Sequence, residues 1–395
     1  VGPDGWKKVA EEVLSTLGVS DSVVLLTGNS AFGPHGFGPR IVALLEDHGL
    51  NVYAQRVHGE PSPQDVDRIV ASSRESLGGE PGGVVAIGGG SVMDAGKAAA
   101  AAFMHDGSIK EYLEGVGSRK PGPRRLPLVA ASTTAGTGSE GTKNAVLSEV
   151  GPKGYKKSLR QDAYVPDAAI LDAEIHSTTP PAVTSASGLD AITQLLEAYV
   201  SVKGTPFTDV QCEMGLTQAA WAFPRVLTDP GDIEARGAMA LAAYLSGLSL
   251  ATAGLGLVHG AASPLGAARE IPHGVVCGTL IGAVTRRSVE YLFSGLGEKS
   301  AGLSLADGAE LPRSRRKYAN AGRLLTGRPD VADGEAAEGL VEWLEEISSL
   351  ANVPLLGSYG FEGDELDALA TKCGDKNQPV TFDDAVTAAL LRERL

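Results

Sequence analysis

The chain has few cysteines, no excess of positive charge and no long apolar segment. Its cysteines, Cys212, Cys277 and Cys373, form no CxxC pair, so we expect neither a disulfide scaffold nor a thiolate zinc site, and a reducing cytoplasm fits. Lys and Arg number 34 against 48 Asp and Glu, which argues against nonspecific nucleic-acid or anionic-membrane binding. No apolar run reaches the roughly 18 residues of a membrane span, and no secretion signal is expected.

The composition is that of a globular protein, and the sequence patterns divide the chain into an α/β part and a helical part. At about 100–200 residues per domain, a chain of 395 residues suggests two domains. In the first part, short β-branched runs alternate with amphipathic stretches, which predicts a mostly parallel sheet. Strands are predicted at residues 22–27, 51–55, 83–87, 126–130 and 168–171, and helices at 41–47, 64–77 and 91–103.

The part of the chain after residue 188 has long helical patterns and few strand signals. Helices are predicted at residues 191–202, 209–223, 233–250, 336–350 and 383–394. The sequence TTPP at 178–181 is the best boundary, because paired prolines stop both strand and helix. We therefore predict an α/β domain over residues 1–181 and a helical domain over residues 182–395.

Two loops of the α/β part are candidates for cofactor binding. The glycines at 88–90 and Ser91 lie between a strand and a helix, where backbone N–H groups and the helix dipole favour a phosphate. A tight turn is the alternative, with Asp94 and Lys97 as a solvated ion pair. The second loop, STTAGTGSE (132–140), is rich in small and hydroxyl residues and predicts a binding loop; the alternative is a flexible linker.

The helical part contains a third candidate constellation. Asp190 and Gln194 are one helical turn apart and share a face, while His259 and His273 follow in glycine-rich stretches. One carboxylate and two imidazoles can hold a divalent cation with a position open for substrate. Taken singly, each residue has an ordinary structural explanation.

Four ordered motifs together resemble the iron-containing (group III) alcohol dehydrogenase family: GGGSVMDAGK (88–97), STTAGTGSE (132–140), GLDAITQLLEAY (188–199) and GLVHGAASPLGAAREIPHG (256–274). The resemblance covers nearly the whole chain. It implies an N-terminal Rossmann-like α/β dinucleotide domain and an all-α C-terminal metal-binding domain, the dehydroquinate synthase-like architecture, with the active site in the cleft between them. A homodimer is also what the family suggests.

The resemblance also implies roles for individual residues. The matched cofactor positions are Gly28, Gly89, Gly90, Ser91, Asp94, Thr133, Thr134, Thr137 and Lys156. Asp190, His259 and His273 match three of the family's four metal ligands, with Fe²⁺ expected and Zn²⁺ as the alternative. In similar enzymes the fourth ligand is a histidine where this chain has Gln194, a weaker amide ligand that coordinates or yields its place to water.

Two further positions depart from the family pattern. A histidine that can relay protons is replaced by Ser263, so a hydroxyl or water is expected to serve. Gly28 stands where members selective for NAD often carry an aspartate that repels the 2′-phosphate. We therefore expect NADPH to be tolerated or preferred over NADH; the alternative is that Gly28 is a turn residue and both cofactors work.

The substrate is inferred from local positive charge. Lys157 and Arg160 lie beside Lys156, and Arg119 and Lys120 form a second pair, which favours an anionic substrate. These stretches resemble phosphonoacetaldehyde reductases of phosphonate natural-product pathways, so the first hypothesis is reduction of phosphonoacetaldehyde to 2-hydroxyethylphosphonate. The alternatives are a general iron-dependent primary-alcohol dehydrogenase and a non-catalytic nucleotide-binding homologue with a degraded metal site.

Overall fold

The computed structural model describes residues 5–17, 21–33, 36–151, 154–294 and 302–395. The chain separates into two compact units. The first comprises Val1–Glu149 and Lys156–Thr179, and the second comprises Val150–Tyr155 and Pro180–Leu395. The domain division at residues 181 and 182 stays a prediction.

The first unit is built on a five-stranded parallel sheet of order β2-β1-β3-β4-β7. The described strands before residue 180 are β1 (Ser22–Gly28), β2 (Asn51–Val57), β3 (Gly83–Gly88), β4 (Leu128–Ser132), β5 (Asn144–Glu149), β6 (Tyr155–Arg160) and β7 (Ala168–Leu171). The helices are α1 (Val9–Leu17), α2 (Gly38–Asp47), α3 (Pro63–Leu77), α4 (Gly90–Ala102) and α5 (Ala173–Ser177). The central strands β3 and β4 are buried along their whole length, as expected of a parallel sheet covered on both faces.

The second unit is helical apart from one small antiparallel sheet. Its helices are α6 (Pro181–Val200), α7 (Pro206–Thr228), α8 (Ile233–Ala253), α9 (Leu257–Ala268), α10 (His273–Phe293), α11 (Leu311–Thr326), α12 (Asp333–Ala351), α13 (Gly363–Ala370) and α14 (Asp384–Arg392). Strands β8 (Leu303–Leu305) and β9 (Val380–Phe382) pair with each other. The predicted fold class is confirmed in both parts.

Glycines let α10 approach α6 closely. A Cβ atom on Gly274 would lie 2.2 Å from the carbonyl oxygen of Ala186, and one on Gly278 would lie 2.5 Å from Leu189 Cδ1. Real Cβ atoms do not make such contacts, so these positions require glycine for the helices to touch. The contact sets the first turns of α10 beside the middle of α6, where Asp190 lies.

The structure extends several predicted elements and adds others. Helix α6 begins at Pro181 rather than at residue 191, because a proline is favourable in the first helical turn, where its missing N–H needs no partner. The sheet of β5 and β6 and the pair of β8 and β9 were not predicted. In the described part of the chain, no single helix is long and apolar enough to span a bilayer; α8 and α9 pass that test only as a pair, bent by 99°.

Candidate metal centre and cofactor loops

Three helices of the second unit bring a carboxylate, two imidazoles and a thiol together. Asp190 lies on α6, His259 on α9, and His273 and Cys277 on α10. One ligand atom from each of the four residues lies within 4.8 Å of all the others. The structure therefore brings the predicted residues Asp190, His259 and His273 together and adds a thiol that the sequence analysis did not foresee.

The spacing of these atoms suits a divalent cation. The Nε2 atoms of His259 and His273 lie 3.3 and 3.7 Å from Asp190 Oδ1. Ligand atoms about 3.3–3.8 Å apart are what a tetrahedral ion with bonds of about 2.0–2.3 Å requires. Asp190 Oδ1 is buried and accepts no hydrogen bond within the described part of the chain, so a cation would satisfy a buried oxygen that has only the ion-pair contacts with the two imidazoles. These residues fit the metal that the resemblance implies.

The electrostatics of the cluster favour an ionised carboxylate and a neutral thiol before a metal binds. Burial opposes ionisation of Asp190, but the imidazoles of His273 and His259 outweigh it and lower its pKa to about 2. Burial raises the pKa of the Cys277 thiol to about 12. A metal that binds Cys277 must therefore displace a proton from it.

Glu197 orients one of the imidazoles. It lies on α6 two helical turns after Asp190, and its Oε2 accepts a 2.6 Å hydrogen bond from Nδ1 of His259. Its Oε1 accepts a second bond, of 2.8 Å, from the backbone N–H of Val258. A carboxylate that holds Nδ1–H leaves Nε2 as the ligand atom and fixes the ring. The sequence analysis missed Glu197, although its seven-residue spacing from Asp190 places both on one helical face.

Gln194 is buried on α6, and its amide oxygen has a protein partner. Ser246 Oγ on α8 lies 2.9 Å from Gln194 Oε1 and 2.7 Å from the carbonyl oxygen of Ala243, and its single proton serves one of these acceptors at a time. Ser263 lies exposed on α9, one turn after His259. The metal role of Gln194 and the proton role of Ser263 stay predictions.

The two predicted cofactor loops of the first unit lie against each other. They follow the paired strands β3 and β4, whose last residues, Gly88 and Ser132, are in register. A Cβ atom on Gly89 would lie 3.1 Å from Thr134, and one on Gly90 would lie 2.7 Å from Thr137. The glycines therefore allow the threonine loop to reach the start of α4.

The start of α4 has the features of an anion site. Gly89 is its N-cap, no side chain caps it, and its first turn holds no acidic residue. Ser91 lies in that first turn, and the backbone N–H of Thr133 donates a 2.9 Å bond to Gly88. Uncapped N–H groups at a helix N-terminus are favourable partners for phosphate.

Lys97 is buried rather than solvated, which corrects the ion-pair alternative of the sequence analysis. Its ammonium donates to Ser139 Oγ at 2.7 Å, to Thr142 Oγ1 at 3.0 Å and to the carbonyl of Asn144 at 2.8 Å. Ser139 in turn donates to Asp94 at 2.9 Å. Lys97 therefore ties the second loop to α4 from inside the unit.

Buried charges around Lys97 shift each other's protonation. Burial lowers the pKa of Lys97 to about 8, against the opposing effect of Asp94 and Glu140. Burial raises the pKa of Asp94 and raises that of Glu140 to about 7. Glu140 Oε2 is buried and has no hydrogen-bond partner among the residues that the structure describes, so its carboxyl gains little from ionisation.

The remaining predicted residues lie at the ends of strands or on β6. Gly28 ends β1 in an extended conformation, with space for a side chain, since a Cβ atom would lie 3.8 Å from Val92. Lys156 forms an ion pair with Glu60. Lys157 and Arg160 are exposed, and Arg160 Nε lies 3.6 Å from Glu114 Oε1. Three residues apart on a strand, they lie on opposite faces of β6.

Comparisons with known proteins match both parts of the chain. A family profile described as iron-containing alcohol dehydrogenase matches residues 1–173, and one described as the C-terminal part of the Fe-containing alcohol dehydrogenase family matches residues 184–392. Choline dehydrogenase of Bacillus subtilis (strain 168) is 30% identical over 378 residues, 95% of this chain and 86% of that protein. NAD-dependent methanol dehydrogenase of Bacillus methanolicus is 37% identical over 290 residues, 70% of this chain and 72% of that protein. The crystal structure of a 1,3-propanediol oxidoreductase has a TM-score of 0.83 and 25% identity, covering 100% of this chain and 98% of that one.

Proposed function

Because this chain belongs to the iron-containing alcohol dehydrogenase family, we propose that it reduces a small aldehyde to a primary alcohol, with phosphonoacetaldehyde as the first candidate substrate. Membership makes it an alcohol dehydrogenase-type oxidoreductase and implies iron and NAD(H). The observation that carries the proposal is the cluster of Asp190, His259 and His273, in which both imidazoles lie beside one buried carboxylate oxygen.

The residues of the second unit prepare the carbonyl chemistry. Asp190 and the Nε2 atoms of His259 and His273 would hold the cation, and Gln194 occupies the position of the family's fourth ligand. The bound cation supplies Lewis acidity towards a carbonyl oxygen, and reduced nicotinamide supplies hydride. Ser263, one turn after His259, would pass a proton to the product oxygen, directly or through water.

The residues of the first unit would bind the cofactor. The backbone N–H groups at the start of α4, around Gly89, Gly90 and Ser91, would hold the pyrophosphate. The threonine loop, with Thr133, Thr134 and Thr137, would cover it, and Asp94 and Lys156 would contact the cofactor. Gly28 brings no carboxylate to the end of β1, which supports the use of NADPH as well as NADH.

The choice of an anionic aldehyde rests on the exposed cationic side chains of Lys157 and Arg160. Because they lie on opposite faces of β6, one of them would contact the phosphonate, and Arg160 would do so in competition with Glu114. The general alcohol dehydrogenase acting on a neutral substrate is the alternative. The relatives differ in the substrates that their names give, so their identity does not choose between these two. The homodimer and the cytoplasmic location stay predictions.

A substrate comparison on protein of defined metal content tests the proposal. We expect phosphonoacetaldehyde to be reduced with a higher kcat/KM than 3,3-dimethylbutanal, a neutral aldehyde of similar size. One of Lys157→Gln and Arg160→Gln should raise KM for the phosphonate and leave the neutral aldehyde unaffected, while the exposed Lys372→Gln control changes neither. Equal turnover of both aldehydes would contradict anion recognition and favour the general alcohol dehydrogenase.

A further inference from the structure

We propose that Cys277 supplies the fourth protein ligand of the metal site in place of Gln194, and that the resulting carboxylate, two imidazoles and thiolate select Zn²⁺ over Fe²⁺. This inference rests on the proposed function, because it requires a cation held by Asp190, His259 and His273. It adds a ligand that the family pattern does not contain, and it reverses the expected order of the two metals.

The geometry places the thiol among the other ligand atoms. Cys277 lies four residues after His273 on α10, so both side chains share a helical face. Its Sγ atom lies 3.7 Å from Nε2 of His259, and all four ligand atoms lie within 4.8 Å of one another. The Sγ–Nε2 distance of 3.7 Å is expected for neighbouring corners of a tetrahedron around zinc, with Zn–S of about 2.3 Å.

Gln194 is the weaker candidate for the same position. Its Oε1 lies within hydrogen-bond distance of the Ser246 hydroxyl on α8, and a neutral amide brings no charge to a cation. The thiolate of Cys277 and the carboxylate of Asp190 together balance the two positive charges of a divalent ion. Metal binding would release the thiol proton to solvent, as it does at other thiolate sites.

The donor set also determines which metal is preferred. Thiolate is a soft ligand that favours Zn²⁺, and Fe²⁺ binds more weakly than Zn²⁺ in the ordinary affinity series. With Cys277, the site has four protein ligands, the same number as the family's site, in which the fourth ligand is a histidine. The side chain of His273 is 27% exposed, against 3% for Asp190 and 5% for His259. Solvent therefore reaches the cluster at His273, and a bound zinc ion would supply its Lewis acidity on that side.

Cobalt substitution tests the thiolate directly. Co²⁺ occupies zinc sites, and a thiolate ligand gives it an intense charge-transfer absorption in the near ultraviolet. We expect this band in the Co²⁺-loaded wild type and in Cys373→Ser, whose half-buried sulfur lies outside the cluster. The band should be absent from Cys277→Ser. Bound Co²⁺ without the band in the wild type, or a band that persists in Cys277→Ser, would overturn the proposal.

A measurement on the wild type keeps the proposal testable if Cys277→Ser does not fold, and a second uses the variant if it does. X-ray absorption of the Zn²⁺-loaded wild type should show a sulfur neighbour at about 2.3 Å, and a shell of only nitrogen and oxygen would contradict it. Anaerobic equilibration with equal Zn²⁺ and Fe²⁺ should give a bound Zn-to-Fe ratio that is lower in folded Cys277→Ser than in Cys373→Ser. A wild type that binds no divalent metal would contradict the proposed function itself, which is a different result from metal bound without sulfur.

Discussion

The Nδ1–H group of His259 donates a 2.6 Å hydrogen bond to Oε2 of Glu197, and both side chains are buried. The bond joins α9 to α6, the helix that also carries Asp190. Because the ring is held from one nitrogen, the other is presented to the centre of the cluster. The orientation of the imidazole is therefore fixed before a metal arrives.

Replacing Glu197 should weaken metal binding without removing a ligand. In Glu197→Gln the amide cannot accept from Nδ1 and Val258 as the carboxylate does, so we expect the dissociation constant of the metal to rise by about 10–100-fold. Competition with a chromophoric chelator measures it. Glu213→Gln is the matched control, because Glu213 accepts a bond from Tyr199 elsewhere in the second unit. Equal affinities of the Glu197 and Glu213 variants would show that the bond does not support the site.

Gly28→Asp should shift cofactor preference towards NADH. The backbone at Gly28 is extended, and a Cβ atom added there would lie 3.8 Å from Val92, so the side chain fits. A carboxylate there repels the 2′-phosphate of NADPH, so kcat/KM for NADPH should fall by about an order of magnitude relative to NADH. Gly28→Asn, of the same size without the charge, is the control. A similar change in both variants would assign the effect to size rather than to charge.

Lys97→Met should destabilise the first unit. The substitution removes the donor for Ser139, Thr142 and the carbonyl of Asn144 and leaves Asp94 without its cation. We expect the free energy of unfolding to fall by about 3 kcal/mol, as is typical when one partner of a buried charge network is removed. Urea denaturation measures it. Lys143→Met, which removes an exposed ion pair with Asp162, should change stability little, and equal effects of the two variants would contradict a special role for Lys97.

Glu140 should make the stability of the protein depend on pH. Burial raises its pKa from the ordinary 4.5 to about 7, so between these values the folded protein holds a proton that the unfolded chain has lost. The free energy of unfolding is therefore highest, with respect to Glu140, at low pH, and it falls as the pH rises through that range. Glu140→Gln should therefore gain roughly 1–3 kcal/mol over the wild type between about pH 5 and pH 8.

Urea denaturation of both proteins at the two pH values checks this difference. Glu75→Gln, which alters an exposed carboxyl on α3, is the control and should follow the wild type. If the stability difference between Glu140→Gln and the wild type stayed constant over the range, the carboxyl of Glu140 would ionise in the folded protein as it does in water.

The elements predicted well are those with a strong local signal. The apolar runs of β1, β3 and β7 are bounded by glycine or proline and were placed within about two residues of their ends, as patterns of this kind allow. Strand β6 was missed because its sequence YKKSLR has two lysines and an arginine in six residues. Strands β8 and β9 pair across more than 70 intervening residues, a contact that no local pattern reports.

The candidate site was predictable as far as its residues form sequence motifs. Asp190, His259 and His273 stood out as carboxylate and imidazoles in distinctive surroundings, and the structure brings them together. Cys277 could be found only by knowing that α10 begins at His273, because only then does a spacing of four residues place both on one face. The sequence analysis excluded a thiolate ligand because the chain has no CxxC pair. A single thiol, such as that of Cys277, can still lie beside ligand residues from other helices.

The central claim is that Asp190, His259 and His273 hold one divalent cation. The most direct measurement is a crystal structure of the metal-loaded protein with anomalous diffraction data recorded at the metal absorption edge. We expect a single strong peak about 2.0–2.2 Å from Asp190 Oδ1 and from the Nε2 atoms of His259 and His273. Full metal loading with a peak elsewhere, or with no peak within bonding distance of these three atoms, would contradict the account.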